Sequence, residues 1–350
     1  MRPLRLVSRS LDAHMTVRAP RSQRKPTVLA ERRSLAFKGT EVRRTPLLVP
    51  SFSSKGFVSV QHNIDYSSES MDDAALISAY DLHYAKLALP ENFAALLFLD
   101  SGGYEASKDV DLSDYGDREH RARTWTQEMH EAQLAKWRPG VPSVIISYDH
   151  PNERCTIRRQ ITRAEKMAPG RTDLMREFLI KPETTTQSYV QMPELLSCVR
   201  GVKNFDVIGV TEKEIGNSIL SRMRNIARLR MALDKANIHV PIHVFGSLDP
   251  VTTPYYFLAG ADIFDGLTWL RFAFHKGQTL YKQNFGGLHM SLDTNVDVID
   301  GLCCNRNYGY IKELQIRMRR FLNTRDFDAF ETHGSKFKGA LESVMEEIGG

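Results

Sequence analysis

Cysteine is scarce in this chain. There are four in 350 residues, Cys155, Cys198, Cys303 and Cys304. They form no even, closely spaced framework, so a disulfide-stapled secreted module is excluded and a reduced, cytoplasmic setting is expected. No run of about 18 apolar residues exists, which leaves no membrane-spanning helix. The glycine-rich turns that cradle phosphates are missing too: no G-x-G-x-x-G follows the first predicted strand, and there is no P-loop. Internal repeats are absent. Acids are thin at the start, where residues 1–45 hold 12 Lys/Arg and 3 Asp/Glu. That is a net +9 in a chain of net +5, so residues 46–350 carry −4.

What remains is 42% hydrophobic and 25% charged, enough for one large globular domain or a domain with an appendage. The basic start has little apolar periodicity and is expected to be loosely ordered to about residue 25. It reads as an arm that holds phosphates, a solvated tail, or an Arg/Ser-rich transit segment.

Beyond it, strand and helix signals alternate for more than 200 residues. Strands are expected at 45–52, 94–100, 141–148, 178–180, 205–209, 239–245 and 262–264. Helices are expected at 70–87, 119–137, 188–200, 217–236 and 250–259. In the helix 217–236, Ile219, Met223, Ile226, Leu229, Met231 and Leu233 are candidate core positions. Such alternation means parallel strands with helical crossovers, closed as an eight-fold barrel or open as a doubly wound sheet. Polar groups end strand after strand (Asp100, Asp149, Lys181, Gly209, Phe245-Gly246, Asp265), and convergence of strand tips is barrel behaviour. The expected organisation is a basic arm over 1–44, a TIM-type (β/α)8 barrel over 45–300 and a charged helical appendage over 301–350.

The most informative pair is Asp100, closing Leu96-Leu97-Phe98-Leu99, and Asp265, closing Ala261-Asp262-Ile263-Phe264. One acid at a strand end is commonly a turn former or a helix cap, and Asp262 reads as the start of its strand. Three acids at successive tips, with Asp149, suit a pocket using one as nucleophile, one as proton acceptor and one to receive N–H donors. The histidines give no motif; His150, beside Asp149, reads as a pocket or a solvated loop residue.

Asp100-Ser101-Gly102-Gly103-Tyr104 resembles the Asp-Ser-Gly-Gly-aromatic signature of the tRNA-guanine transglycosylases. Asp262-Ile263-Phe264-Asp265, followed by Arg271, resembles that family's Asp-x-Phe-Asp…Arg segment. His243-Val244-Phe245-Gly246 falls where the family places a large apolar residue before glycine. Ile208-Gly209-Val210 with Glu214 resembles its Gly-x-x-x-x-Glu loop. Order and separation hold from Thr45 to Gly277, some two-thirds of the chain.

The resemblance implies base exchange on a polynucleotide. Asp265 would attack the anomeric carbon and displace guanine, leaving a covalent sugar–enzyme ester. Asp100 would take the ring proton of an incoming 7-deazaguanine. Asp149 would receive the base's N–H groups, and Tyr104 and Phe245 would sandwich its ring, against the plainer reading of both as core packing. Gly102, Gly103 and Gly209 would let backbone approach the base, with Lys181 and Glu214 lining it. Arg271 would hold the nucleic acid. The exchange is near thermoneutral, so no ATP site is needed.

Three departures from the family stand out. Lys181 occupies the usual glutamine position, and lysine only donates hydrogen bonds. Of a zinc set Cys-x-Cys-x-x-Cys plus His, only Cys303, Cys304 and His333 remain, short of four ligands, so no cofactor is expected. Phe274 stands where a second tRNA-gripping Arg is usual. These losses place DNA ahead of tRNA as the polymer, since similar chains insert 7-deazaguanines into DNA. The expected partners are nucleic acid and a 7-deazaguanine such as 7-cyano-7-deazaguanine, with a homodimer or accessory modification proteins, and no membrane. The competing classes are a tRNA-guanine transglycosylase, a non-catalytic nucleic-acid-binding subunit and an unrelated barrel hydrolase.

Overall fold

The computed structural model describes residues 28–349, apart from 56, 58, 92, 108–119 and 151. Eight short parallel strands form one sheet: β3 (Leu47–Pro50), β4 (Ala74–Ser78), β5 (Leu96–Asp100), β6 (Ser143–Ile146), β7 (Met175–Ile180), β8 (Val207–Thr211), β9 (Ile242–Phe245) and β10 (Ile263–Gly266). Their order is β3-β10-β9-β8-β7-β6-β5-β4. A single parallel bridge, Ser51 to Leu76, with the Phe52 amide donating to the Leu76 carbonyl (3.0 Å), brings β3 back to β4. The result is a nearly closed barrel of TIM type, with helices between the strands.

Alternation along each strand sorts the side chains into two layers. Leu47 and Val49, Leu96 and Phe98, Val144 and Ile146, and Met175 and Leu179 fill the interior. Leu48, Leu97 and Leu99, Ile145, Phe178 and Ile180, and Val244 face the helices. Strands buried on both sides must be apolar throughout, which explains their near-continuous hydrophobic runs.

Two hairpins flank the barrel, β1 (Ser34–Phe37) with β2 (Thr40–Arg44), and β11 (Phe272–His275) with β12 (Gln278–Tyr281). The first lies within the span expected for the basic arm. Residues 1–27 lie outside the described residues, but Leu35 joins the interior cluster and Phe37 and Val42 pack on it, plugging the end where the strands begin. Asp262 anchors the same end: its carboxylate accepts from Arg33 Nη1 (2.9 Å), Arg230 Nη2 (2.6 Å) and the Ile242 amide (2.8 Å). It is structural, one residue before β10, as expected for the start of a strand.

A helix over 70–87 is not found. Ala74-Ala75-Leu76-Ile77-Ser78 is strand β4, buried at every position, and the helical stretches are 60–68 and 79–84. A short apolar run carries no period that distinguishes strand from buried helix. The helix Ile219–Lys235 begins on a reciprocal Ser218/Ser221 cap. It buries Met223, Ile226, Leu229 and Leu233, as a 3.6-residue period requires, whereas Ile219 and Met231 face outward.

The 29-residue helix Val296–Thr324 runs straight through the expected boundary at 300. It buries Ile311, Leu314, Met318 and Phe321, and Gln315 Nε2 donates to the Pro46 carbonyl beside β3 (2.9 Å). This helix is therefore part of the barrel's own packing. No helix among the described residues is long and apolar enough to cross a membrane.

Candidate active site at the barrel mouth

The inward register that fills the barrel with leucine and valine turns polar where the strands end. Counting by twos, Val49 leads to Ser51, Leu76 to Ser78, Phe98 to Asp100, Leu179 to Lys181, and Ile263 to Asp265. This is the C-terminal face, where barrels of this type carry their chemistry. Asp100 and Asp265 both belong to it.

Asp265 is buried and surrounded by donors. Ser51 Oγ donates to Oδ2 (2.7 Å) and the Gly246 amide donates to Oδ1 (3.1 Å). His243 Nε2 lies 3.2 Å from the same Oδ1, and its Nδ1 lies 2.9 Å from Glu177 Oε1. His243 and Glu177 are wholly buried. Burial works against a charged imidazole, but the carboxylates of Glu177 and Asp265 on either side win, lifting His243 to about pKa 9. Burial pushes Glu177 the other way from an ordinary carboxylate, upward. The imidazolium follows from this placement, because each ring nitrogen lies beside a carboxylate oxygen and the cation alone is attracted to both.

Asp100 sits in different surroundings. Burial is the main cause that raises it to about 7, helped by the charges of Glu105 and Asp265 and opposed by the Gly102 amide, which donates to its Oδ2 (3.0 Å). That Asp265 acts on Asp100 places the two acids in one electrostatic neighbourhood. Glu105 is likewise raised to about 7 and Asp81 to about 6, each chiefly by burial. Glu105 accepts from Ser53 and from Ser78 Oγ (2.8 Å), and Asp81 accepts from the Ser54 amide (2.8 Å). Three acids of raised pKa whose charges act on one another titrate as a group rather than singly.

The turn after Asp100 needs its glycines. Gly102 has φ +85°, and a Cβ there would lie 2.7 Å from Tyr80 Cβ. A Cβ on Gly103 would meet Asp149 Cβ at 2.9 Å, so this turn lies directly on Asp149. Asp149 stands three residues past β6, on the loop. Its Oδ1 accepts from Arg154 Nη1 (2.7 Å) and its Oδ2 pairs with Lys181 Nζ (3.1 Å). Lys181 also pairs with Glu214 Oε2 (2.6 Å) and reaches Thr211 Oγ1 (3.4 Å). Burial alone would raise Asp149; Lys181 and Arg154 outweigh it and hold the carboxyl below the ordinary aspartate range. For Lys181, burial is outweighed by Asp149 and Glu214, and its pKa rises.

The rings expected to sandwich a base each have a partner of the protein's own. Phe245 stacks on His243 (centroids 4.0 Å apart, 28° between planes) and lies against Gly209, where a Cβ would come within 2.5 Å of the Phe245 ring and of Glu177 Oε1. Tyr104 lies under the Lys55 ammonium (4.6 Å), and its hydroxyl accepts from Arg271 Nη2 (2.7 Å). Arg271 thus reaches the Asp100 loop from beyond β10. A cavity of about 40 Å³ borders Lys181, Arg154, His130 and Cys155. It has room for a water or two, not for a purine.

The expected zinc remnant is not a ligand set. Cys303 packs among Ala273, Phe285 and Ile299; Cys304 Sγ lies 3.9 Å from Lys282 Nζ; His333 Nε2 faces the Gly277 carbonyl (3.0 Å). Burial raises Cys303 to about 11, away from the thiolate a metal needs. Among the described residues no group of three His, Cys, Asp or Glu side chains is placed to hold a metal ion. Phe274 is buried, its amide donating to Asn307 Oδ1 (2.7 Å).

Ser51, Glu105, Glu177 and His243 were not among the expected site residues. Strand alternation is the signal that finds two of them: His243 lies two residues before Phe245, and Glu177 four before Lys181, so each shares the inward face of a residue already singled out. The chain matches no protein-family model and no curated protein.

Proposed function

We propose that this chain is a base-exchange transglycosylase, replacing guanine in a nucleic acid with a 7-deazaguanine such as 7-cyano-7-deazaguanine. The observation that carries the proposal is the contrast between two inward-facing acids at one barrel mouth. Asp265 is held by the Ser51 hydroxyl and the Gly246 amide with His243 beside it, as suits a nucleophile fixed in orientation. Asp100 is raised to about 7, as suits a group that gives and takes a proton near neutrality.

In the first displacement Asp265 attacks C1′, the C1′–N9 bond breaks, and the departing guanine takes a proton from Asp100. In the second, Asp100 removes the ring proton of the incoming base, its nitrogen attacks C1′, and the ester electrons return to Asp265. Two inversions retain configuration. The base edge would meet Asp149 after displacing Arg154 or Lys181 from it. Lys181, a donor only, would then face an acceptor on the base, as a nitrile or carbonyl provides. A base taken from a duplex must first be flipped out, at a cost of a few kcal/mol.

DNA is placed ahead of tRNA because Phe274 and the reduced cysteine set remove two tRNA-associated features of the family it resembles. The test is incubation with labelled guanine and either duplex DNA or tRNA, then a chase with 7-cyano-7-deazaguanine. Label entering DNA and leaving in the chase is the expected result. Label in tRNA alone moves the enzyme to the tRNA class. Label in neither polymer refutes the exchange reading and leaves a binding subunit.

A further inference from the structure

We infer that Glu177 and His243 form a positioning pair that makes Asp265 a better leaving group, so that they act on the second displacement rather than the first. The inference rests on the base-exchange reading above and assigns a role that neither motif nor spacing suggests.

The geometry is directional. Glu177 rises from β7 and His243 from β9, both on the inward face, and the imidazole bridges Glu177 Oε1 to Asp265 Oδ1 (2.9 and 3.2 Å). The ring is fixed on its flanks by Phe245, stacked at 4.0 Å, and Phe98, edge-on at 5.5 Å. Glu177 and Asp265 are the titratable groups that face it, and neither ring nitrogen reaches solvent. A histidine kept only for packing would not need a carboxylate at each end.

The two oxygens of Asp265 are not equivalent. Oδ1 accepts from the Gly246 amide and has the His243 imidazole 3.2 Å away as a charge partner, whereas Oδ2 has Ser51 alone. Oδ2 therefore has the freer lone pair for C1′, and Oδ1 becomes the carbonyl of the ester. On the ester that oxygen is nearly neutral. When the incoming nitrogen bonds to C1′ and the C1′–Oδ2 bond breaks, the electron pair spreads over both oxygens and full carboxylate charge returns beside the imidazolium. His243 keeps its proton throughout. A cationic donor is worth most against full charge, so the pair lowers the barrier to ester breakdown and opposes ester formation.

The experiment follows the enzyme–polymer adduct on denaturing gels, formed with guanine-containing duplex DNA and with tRNA, then chased with guanine. His243→Gln keeps a donor but no charge; Glu177→Gln, near-isosteric, removes the counter-carboxylate and guards against a misfolded His243 variant. Adduct is expected to form at least as fast as in the wild type and to decay about tenfold more slowly in His243→Gln, less so in Glu177→Gln. Decay at the wild-type rate in the folded variants, or slowed formation with normal decay, overturns the inference and leaves base exchange standing. Failure of the wild type to form adduct with either polymer removes the base-exchange reading, and this role with it.

Discussion

Replacing Lys181 with Met takes one positive charge from between two carboxylates while keeping most of the side chain's length. Lys181 Nζ lies 3.1 Å from Asp149 Oδ2 and 2.6 Å from Glu214 Oε2, and the three side chains are 10–16% exposed. Removing one member of a buried ion pair costs about 3–5 kcal/mol, because the partner stays buried without compensation. Arg154 still covers Asp149, so the loss is placed lower, at about 2–3 kcal/mol. With an unfolding entropy of roughly 0.7 kcal/mol/K for a chain of this size, Tm falls by about 3–4 °C. The pH dependence separates charge from packing. In the wild type Asp149 is depressed, so its contribution is present above the ordinary aspartate pKa and is lost only as pH falls through the lower folded value. Lys181 is raised, so its contribution is complete below the ordinary lysine pKa and is lost as pH rises through the higher folded value. Without the ammonium, burial favours proton uptake by the acids. The deficit is therefore larger at pH 8 than at pH 4.5. Calorimetry or thermal circular dichroism at the two pH values is the assay. A deficit of equal size at both, or none at pH 8, would show that the cluster is not held by charge.

Asp265→Asn should abolish the covalent adduct while leaving polymer binding within a few-fold, read by gel shift; an active Asn variant refutes its role as nucleophile. Exchange by the wild type should be fastest near pH 7 and fall on either side, because Asp100 gives a proton in the first displacement and takes one in the second, and Asp100→Asn should lose roughly 10²–10⁴ in rate; an unchanged pH profile in the Asn variant would remove Asp100 from proton transfer. Glu105 is raised to about 7 by burial, so the folded protein takes up a proton there that the unfolded chain releases, and stability falls as pH rises from the unfolded value through 7. Asp100 and Asp81 titrate with it, so Glu105→Gln should lessen that fall and be the more stable form at pH 8, by denaturant titration; equal pH slopes would refute it. Deleting residues 1–25 should weaken polymer binding and flatten its salt dependence; unchanged binding would show that the basic start does not touch phosphates.

The barrel was legible because its strands end in punctuation. Asp100 before Ser-Gly-Gly, Lys181 before Pro182, Phe245 before Gly246 and Asp265 before Gly266 mark strand ends by chemistry, so β5, β7, β9 and β10 stand out. Strand β4 was hidden because Ala74–Ser78 has neither alternation nor a breaker, and five buried residues carry no period. The hairpin Ser34–Arg44 was hidden by charge. Arg43 and Arg44 made it read as tail, although Arg43 pairs with Asp73 and Arg44 with Glu41. Glu177 and His243 escaped for the opposite reason. A motif search looks at strand tips, and these two lie a layer deeper, where only their mutual contact explains a charge in an apolar barrel.

The same layering bears on substrate choice. At the end where the proposed exchange places the sugar, Asp265 is held by Ser51 and the Gly246 amide, with His243 beside it. At the base end, Asp149 is covered by Arg154 and Lys181, and the cavity beside them has a volume of only about 40 Å³. In the proposed exchange, a base reaching Asp149 would trade an internal ion pair for its own hydrogen bonds. Guanine would meet Asp149 with its N–H edge and offer O6 and N7 as acceptors; 7-cyano-7-deazaguanine keeps O6 and carries a nitrile where guanine has N7. Either base returns the displaced lysine a partner, which matters because a buried ammonium left short of one costs several kcal/mol. On the base-exchange reading, selectivity for the modified base over guanine would turn on whether Lys181 meets the nitrile or N7, and not on Asp100 and Asp265, which would treat the two bases alike.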